Sequence, residues 1–118
     1  MRQPPSIDSF GAGGFRVSGV WRPGSLLVLN DQPHDWRPRG PEDLTTEDFA
    51  AVISAGAAVS EFVLLGTGAS QALPPLDVRD ALRVAGLGLE FMSTANAART
   101  YGVLISQGRR PALALISV

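Results

Sequence analysis

Residues 62–65 read Phe62-Val63-Leu64-Leu65, four apolar side chains without a polar break, and Gly66-Thr67-Gly68 follows at once. A strand with one face in water alternates apolar and polar residues. An unbroken apolar run marks a strand covered on both faces. Such a strand needs neighbouring strands beside it and packed layers above and below it. This segment therefore restricts the chain to an α/β domain built around it.

The sequence on either side agrees. Pro75 suits the first turn of a helix whose buried stripe is Val78, Ala81, Leu82 and Ala85, with Gly86 as its stop. Leu87 to Met92 is the next strand. Ser93 or Thr94 caps a further helix with Ala97, Tyr101, Leu104 and Ile105 on its inner face. Gly108 ends that helix, and Arg109-Arg110 stand near its negative dipole end. Ala112 to Val118 is the last strand. This β-α-β-α-β half predicts parallel strands joined by crossover helices.

The first half reads differently. Ile7 to Phe10 and Phe15 to Val20 are β-type runs, with Gly11-Ala12-Gly13-Gly14 between them. The glycines permit the positive φ angles of a tight reversal, so a hairpin is predicted. Leu26 to Leu29 is a third strand after the turn signal Pro23-Gly24, and Trp36 marks a short strand in the loop 30–43. Thr45-x-x-Asp48 fits a capping box at the start of a helix carrying Phe49, Val52 and Ile53, with Gly56 as its stop.

At 118 residues the chain is expected to form one domain, residues 1–118. With 45% hydrophobic and 18% charged residues it has the composition of a globular protein. A net charge of −1, with no basic run longer than Arg109-Arg110, gives no footprint for a nucleic-acid partner. The chain has no cysteine, which removes disulfides, thiol nucleophiles and thiolate metal sites. No stretch reaches the ~18 apolar residues of a transmembrane segment. The start, Met1-Arg2-Gln3-Pro4-Pro5, has no apolar core of a signal peptide, so a soluble cytoplasmic protein is expected.

Gly66-Thr67-Gly68 lies where open α/β sheets bind ligands, at the carboxyl end of a strand. Its backbone N–H groups are suited to an anion. The opening of the last helix, with Thr94, Asn96 and Arg99, falls at the same sheet end and adds helix N–H groups and a guanidinium. These six residues are the candidate ligand site. A dinucleotide motif is incomplete, because Gln71 replaces the third glycine and Pro74-Pro75 delays the helix. Ser70 stands too far past the strand for a nucleophile elbow. His34, between Asp31 and Asp35, has no second histidine to complete a metal site. No catalytic set, metal or cofactor is expected, and the glycines also suit plain tight turns.

The order of these motifs carries a resemblance. Ile7-Asp8-Ser9-Phe10, Gly14-Phe15, Ser18-Gly19, Leu26-Leu27, Trp36 and Thr46-Glu47-Asp48-Phe49 come in sequence. Val63 to Gly68, Thr94 to Leu104, Gly108-Arg109 and Ala112 to Ile116 follow. Together they resemble the family that includes mitochondrial NADH dehydrogenase (complex I) assembly factor 3 and the adipogenesis-associated domain protein. The resemblance implies a three-layer α/β fold with a central mixed sheet. It also implies a role, held by some members, in building a respiratory NADH:quinone oxidoreductase through contacts with its subunits or with another assembly factor, and the missing presequence suits a bacterial member. Many members have Asn where Gly102 stands and Cys where Ala98 stands, so any site made by those side chains is altered here. The leading expectation is a non-enzymatic interaction protein. The alternative is a small anionic-ligand binder or minor enzyme with a crevice at the ends of the parallel strands.

Overall fold

A computed structural model describes residues 2–118; Met1 lies outside them. The first three strands, β1 (Ile7–Gly11), β2 (Gly14–Val17) and β3 (Val20–Pro23), form an antiparallel sheet in that order. The predicted hairpin is therefore present, but its second strand stops at Val17, and Val20 opens a third strand. Ser18 (φ 47°) and Gly19 (φ 82°) turn the chain between Val17 and Val20. Two consecutive positive φ angles are the geometry of a two-residue hairpin turn.

The second sheet has five strands in the order β5-β4-β8-β6-β7. Here β4 is Ser25–Leu29, β5 Gln32–Trp36, β6 Phe62–Gly66, β7 Gly88–Met92 and β8 Ala112–Leu115. β6 pairs in parallel with β7 on one side and β8 on the other, whereas β4 is antiparallel to β8 and β5. The sheet is mixed, and the apolar run of residues 62–65 has a strand on each side.

Side-chain alternation divides the core. Val63 and Leu65 of β6, Leu27 of β4, and Ala112 and Ala114 of β8 face one side. They pack there against α1 (Ala50–Ala55) and α2 (Leu76–Val84) through Phe49, Val52, Val78 and Leu82. Leu64, Leu26, Val28, Leu113 and Leu115 face the other side. They meet α3 (Thr94–Ser106) and the three-stranded sheet through Ala97, Tyr101, Leu104, Phe15 and Val17. This is the three-layer arrangement, and it explains why β6 and β8 carry no polar side chain.

Local signals set the helix ends. α1 is short because its first turn, Thr46–Phe49, is a 3-10 turn. Asp48 reaches back there to accept from the Thr45 amide (2.8 Å) and hydroxyl (3.0 Å). Trp36 donates its indole N–H to the Asp48 carbonyl at 2.9 Å and meets Phe49 edge to face. That indole fixes β5 against the helix start. Pro75 ends as the residue before α2 rather than within its first turn. Ser93 caps α3 by accepting from the Asn96 amide.

Candidate functional site

The carboxyl ends of β6 and β7 bring Gly66, Thr67, Gly68 and Thr94 into direct contact. Thr94 is fully buried and its hydroxyl bridges two strands' ends. It donates to the Ile116 carbonyl at 2.7 Å and accepts from the Gly68 amide at 2.9 Å. The Thr94 amide returns a 2.9 Å bond to the Gly68 carbonyl. The Ile116 amide bonds the Gly66 carbonyl at 3.0 Å. A Cβ on Gly66 would stand 2.8 Å from Thr94 Cα, so only glycine lets α3 start this close to β6.

Thr67 is nearly as buried. Its amide donates to the Met92 carbonyl at 2.8 Å. Its hydroxyl accepts from the Ala72 amide at 3.0 Å and lies within hydrogen-bonding distance of the Ser70 and Met92 carbonyls. The amides of Thr67 and Gly68 are therefore taken by protein acceptors, and the two hydroxyls are satisfied within the chain. Asn96 and Arg99 lie on the exposed side of α3, where Arg99 donates to the Asn96 side chain at 3.3 Å. The six candidate residues thus divide into a closed junction of four and an exposed polar pair. The Gly68 amide is therefore not free to bind a ligand at this end of the sheet.

Electrostatics are concentrated elsewhere and tie segments together. Arg37 forms ion pairs with Asp43 at 3.0 Å and Asp48 at 2.7 Å. Its guanidinium, with the Thr45 donors, holds the Asp48 carboxyl below its ordinary value against the opposing effect of burial. Arg2 makes a two-pronged pair with Asp31 at 2.9 Å and reaches the Gly108 carbonyl. Glu61 accepts from the Arg110 amide and pairs with Arg109, and both contacts lower its pKa. Burial raises the Tyr101 phenol well above its ordinary value. His34 is exposed on β5, and no cluster of three or more metal-ligating side chains occurs among the described residues.

A feature that the linear reading passed over lies on the opposite layer. Ile53 of α1 and Ala81, Val84 and Ala85 of α2 line an open groove of about 600 Å³ with Asp77 and Asp80 on its rim. Leu76 and Val84 stand two turns apart on the same side of α2 and are 62% and 77% exposed. Sequence reading assigned Ala81 and Ala85 to the buried stripe. The overlooked signal was this outer pair, leucine and valine among the charged residues that should cover a solvated face.

The profile of one protein family, described as a protein of unknown function (DUF498/DUF598), matches residues 7–116. The chain belongs to the DUF498/DUF598 family. An uncharacterised protein of Rhodobacter capsulatus is 38% identical over 110 residues, which cover 93% of this chain and 82% of that one. NADH dehydrogenase [ubiquinone] 1 alpha subcomplex assembly factor 3 of Mus musculus is 32% identical over 111 residues. That match covers 93% of this chain and 59% of the mouse protein, so the chain spans about three fifths of the factor's length. The crystal structure of an outer membrane protein from Bartonella henselae superposes with a TM-score of 0.88 at 31% identity, covering 98% of this chain and 96% of that one. DUF498/DUF598 membership and these likenesses agree with the mixed three-layer fold implied by the order of motifs. No helix among the described residues is long and apolar enough to cross a membrane.

Proposed function

We propose that this chain assists the assembly of a respiratory NADH dehydrogenase by making protein contacts, rather than by catalysis. The observation that carries the proposal is the likeness to the mammalian assembly factors, which runs through 93% of this chain. It therefore extends over both sheets and all three helices rather than one shared motif. The polar atoms at the strand ends support the same reading, because Thr94 spends its hydroxyl on holding α3 to the ends of β6 and β8. The partners are subunits of that respiratory complex or another assembly factor. The proposed compartment is the cytoplasm, in keeping with a chain that has no cysteine.

The test is affinity isolation of the full-length chain from its native host, with quantitative mass spectrometry against an untagged control. Enrichment of NADH dehydrogenase subunits or a known assembly protein is the expected result. Recovery of neither, from cells actively building the complex, refutes the proposal.

A further inference from the structure

We infer that the groove between α1 and α2 is a docking site for an amphipathic segment of a partner protein, with apolar anchors flanked by lysine or arginine. The inference deepens the proposed contact role by naming its surface. It rests on that role only for the partner's being a respiratory subunit or assembly protein.

The floor of the groove is apolar, made by Ile53, Ala81, Val84 and Ala85. Val84 of this floor is exposed, and so is Leu76 two turns earlier on α2. Exposed apolar side chains grouped on one helix mark contact surfaces. Enclosed small-molecule sites instead converge a few polar groups on the ligand. The groove runs along a helix and stays open, the shape that accepts an amphipathic helix through anchors at i, i+3 or i+4, and i+7.

The rim selects the charge of the occupant. Asp77 and Asp80 lie at i, i+3 beside the floor, and no lysine or arginine lines the groove. The Asp77 carboxylate accepts only from the adjacent Val78 amide. Asp80 meets Arg83 at 3.6 Å, a long contact between two exposed side chains. Asp77 is therefore free to receive a cation from outside, and Asp80 shares its charge only through the long contact with Arg83. The same acids repel anionic surfaces, so a phosphate-rich partner is disfavoured. A basic, apolar-faced protein segment satisfies both the floor and the rim.

A photo-crosslinking residue placed at Val84 in the full-length chain tests this in the native host. The trapped peptide is then sequenced by mass spectrometry. The expected product is one segment of one partner, with apolar residues at helical spacing and a neighbouring Lys or Arg. The double variant Asp77→Lys/Asp80→Lys should cut the adduct by about tenfold, the size of a like-charge clash at an interface. Replacing the partner's basic residue with Glu should restore it. Circular dichroism of the double variant should match the wild type, because both aspartates are exposed. Trapping of a second copy of this chain, of lipid or of scattered peptides overturns the inference, as does an adduct insensitive to charge reversal. Co-isolation from the same cells separates the two claims. If the double variant still recovers all the respiratory subunits found with wild type, the groove falls and the assembly role stands. If wild type recovers none, while Val84 traps a charge-dependent segment of another protein, the assembly role falls and the groove stands.

Discussion

The Tyr101 hydroxyl donates a 2.8 Å hydrogen bond to the Pro5 carbonyl, joining α3 to a segment 96 residues earlier in the sequence. The ring is buried among the residues under the three-stranded sheet. Nearby, Arg2 pairs with Asp31 and reaches the Gly108 carbonyl. The amino-terminal segment is thus held at both ends of one span, across α3 and against the β4–β5 turn. Tyr101→Phe keeps the ring and removes the bond. It should lower stability by about 1 kcal/mol in urea unfolding, because the ring's packing is unchanged.

The same phenol gives an alkaline signature. Burial raises its pKa, the Asp31 charge adds to this, and Arg2 opposes it. The folded state therefore holds the proton that the unfolded chain releases near the ordinary value of 10.0. This contribution is whole below about pH 10 and is lost as pH rises beyond it towards the folded value. The chain has one tyrosine, so its phenolate absorbance reports this site alone. Phenolate and loss of circular dichroism should appear together. A phenolate that forms near pH 10 in a fully folded protein would contradict this.

Acid should act through Asp48. Its lowered pKa, caused first by Arg37, means that the folded state stays ionised where the unfolded carboxyl protonates, near 3.8. The contribution is present above that value and lost as pH falls through the lower, folded one. Arg37→Ala should be less stable than wild type at neutral pH. The gap should close as pH falls below 3.8, measured by unfolding at a series of pH values.

Thr94 is expected to matter through its hydroxyl and not its shape. Thr94→Val leaves the Gly68 amide and the Ile116 carbonyl buried without their partner. The cost should be about 1–3 kcal/mol, and Thr94→Ser should recover much of it. Equal stabilities for the valine and serine variants would remove the hydroxyl from the account.

Two glycines should respond in opposite directions. Gly66→Ala brings a Cβ to within 2.8 Å of both Thr94 Cα and Leu115 Cδ2, and should destabilise by about 1–3 kcal/mol. Gly102→Ala, in an exposed turn of α3 with no atom within 4 Å of the new Cβ, should stabilise by about 0.5–1 kcal/mol. Thermal unfolding of the two variants checks both signs.

Most of the architecture was legible because burial writes itself into pattern. The unbroken run at β6, the stripes of α2 and α3, and the capping pair Thr45 and Asp48 all rest on short-range regularities. The sequence pattern does not show β3 beyond Val20, because Val20 and Trp21 are exposed and leave no burial signal, while the Ser18-Gly19 turn is only two residues long. The glycines of the strand-end loop suggest amides open to a ligand. Their partners are Met92 and Thr94, 25 and 26 residues away, and no local pattern records such pairings. The groove escaped because it lies between two helices whose separation a linear sequence does not encode.

The central claim is that this chain helps to build a respiratory NADH dehydrogenase through its contacts. Its most direct test is the amount of fully assembled complex in native gels from a host lacking the chain, with and without complementation. The account predicts less assembled enzyme and an accumulated subassembly, both corrected by the wild-type chain. An unchanged amount of assembled complex during active growth on respiratory substrates would contradict it.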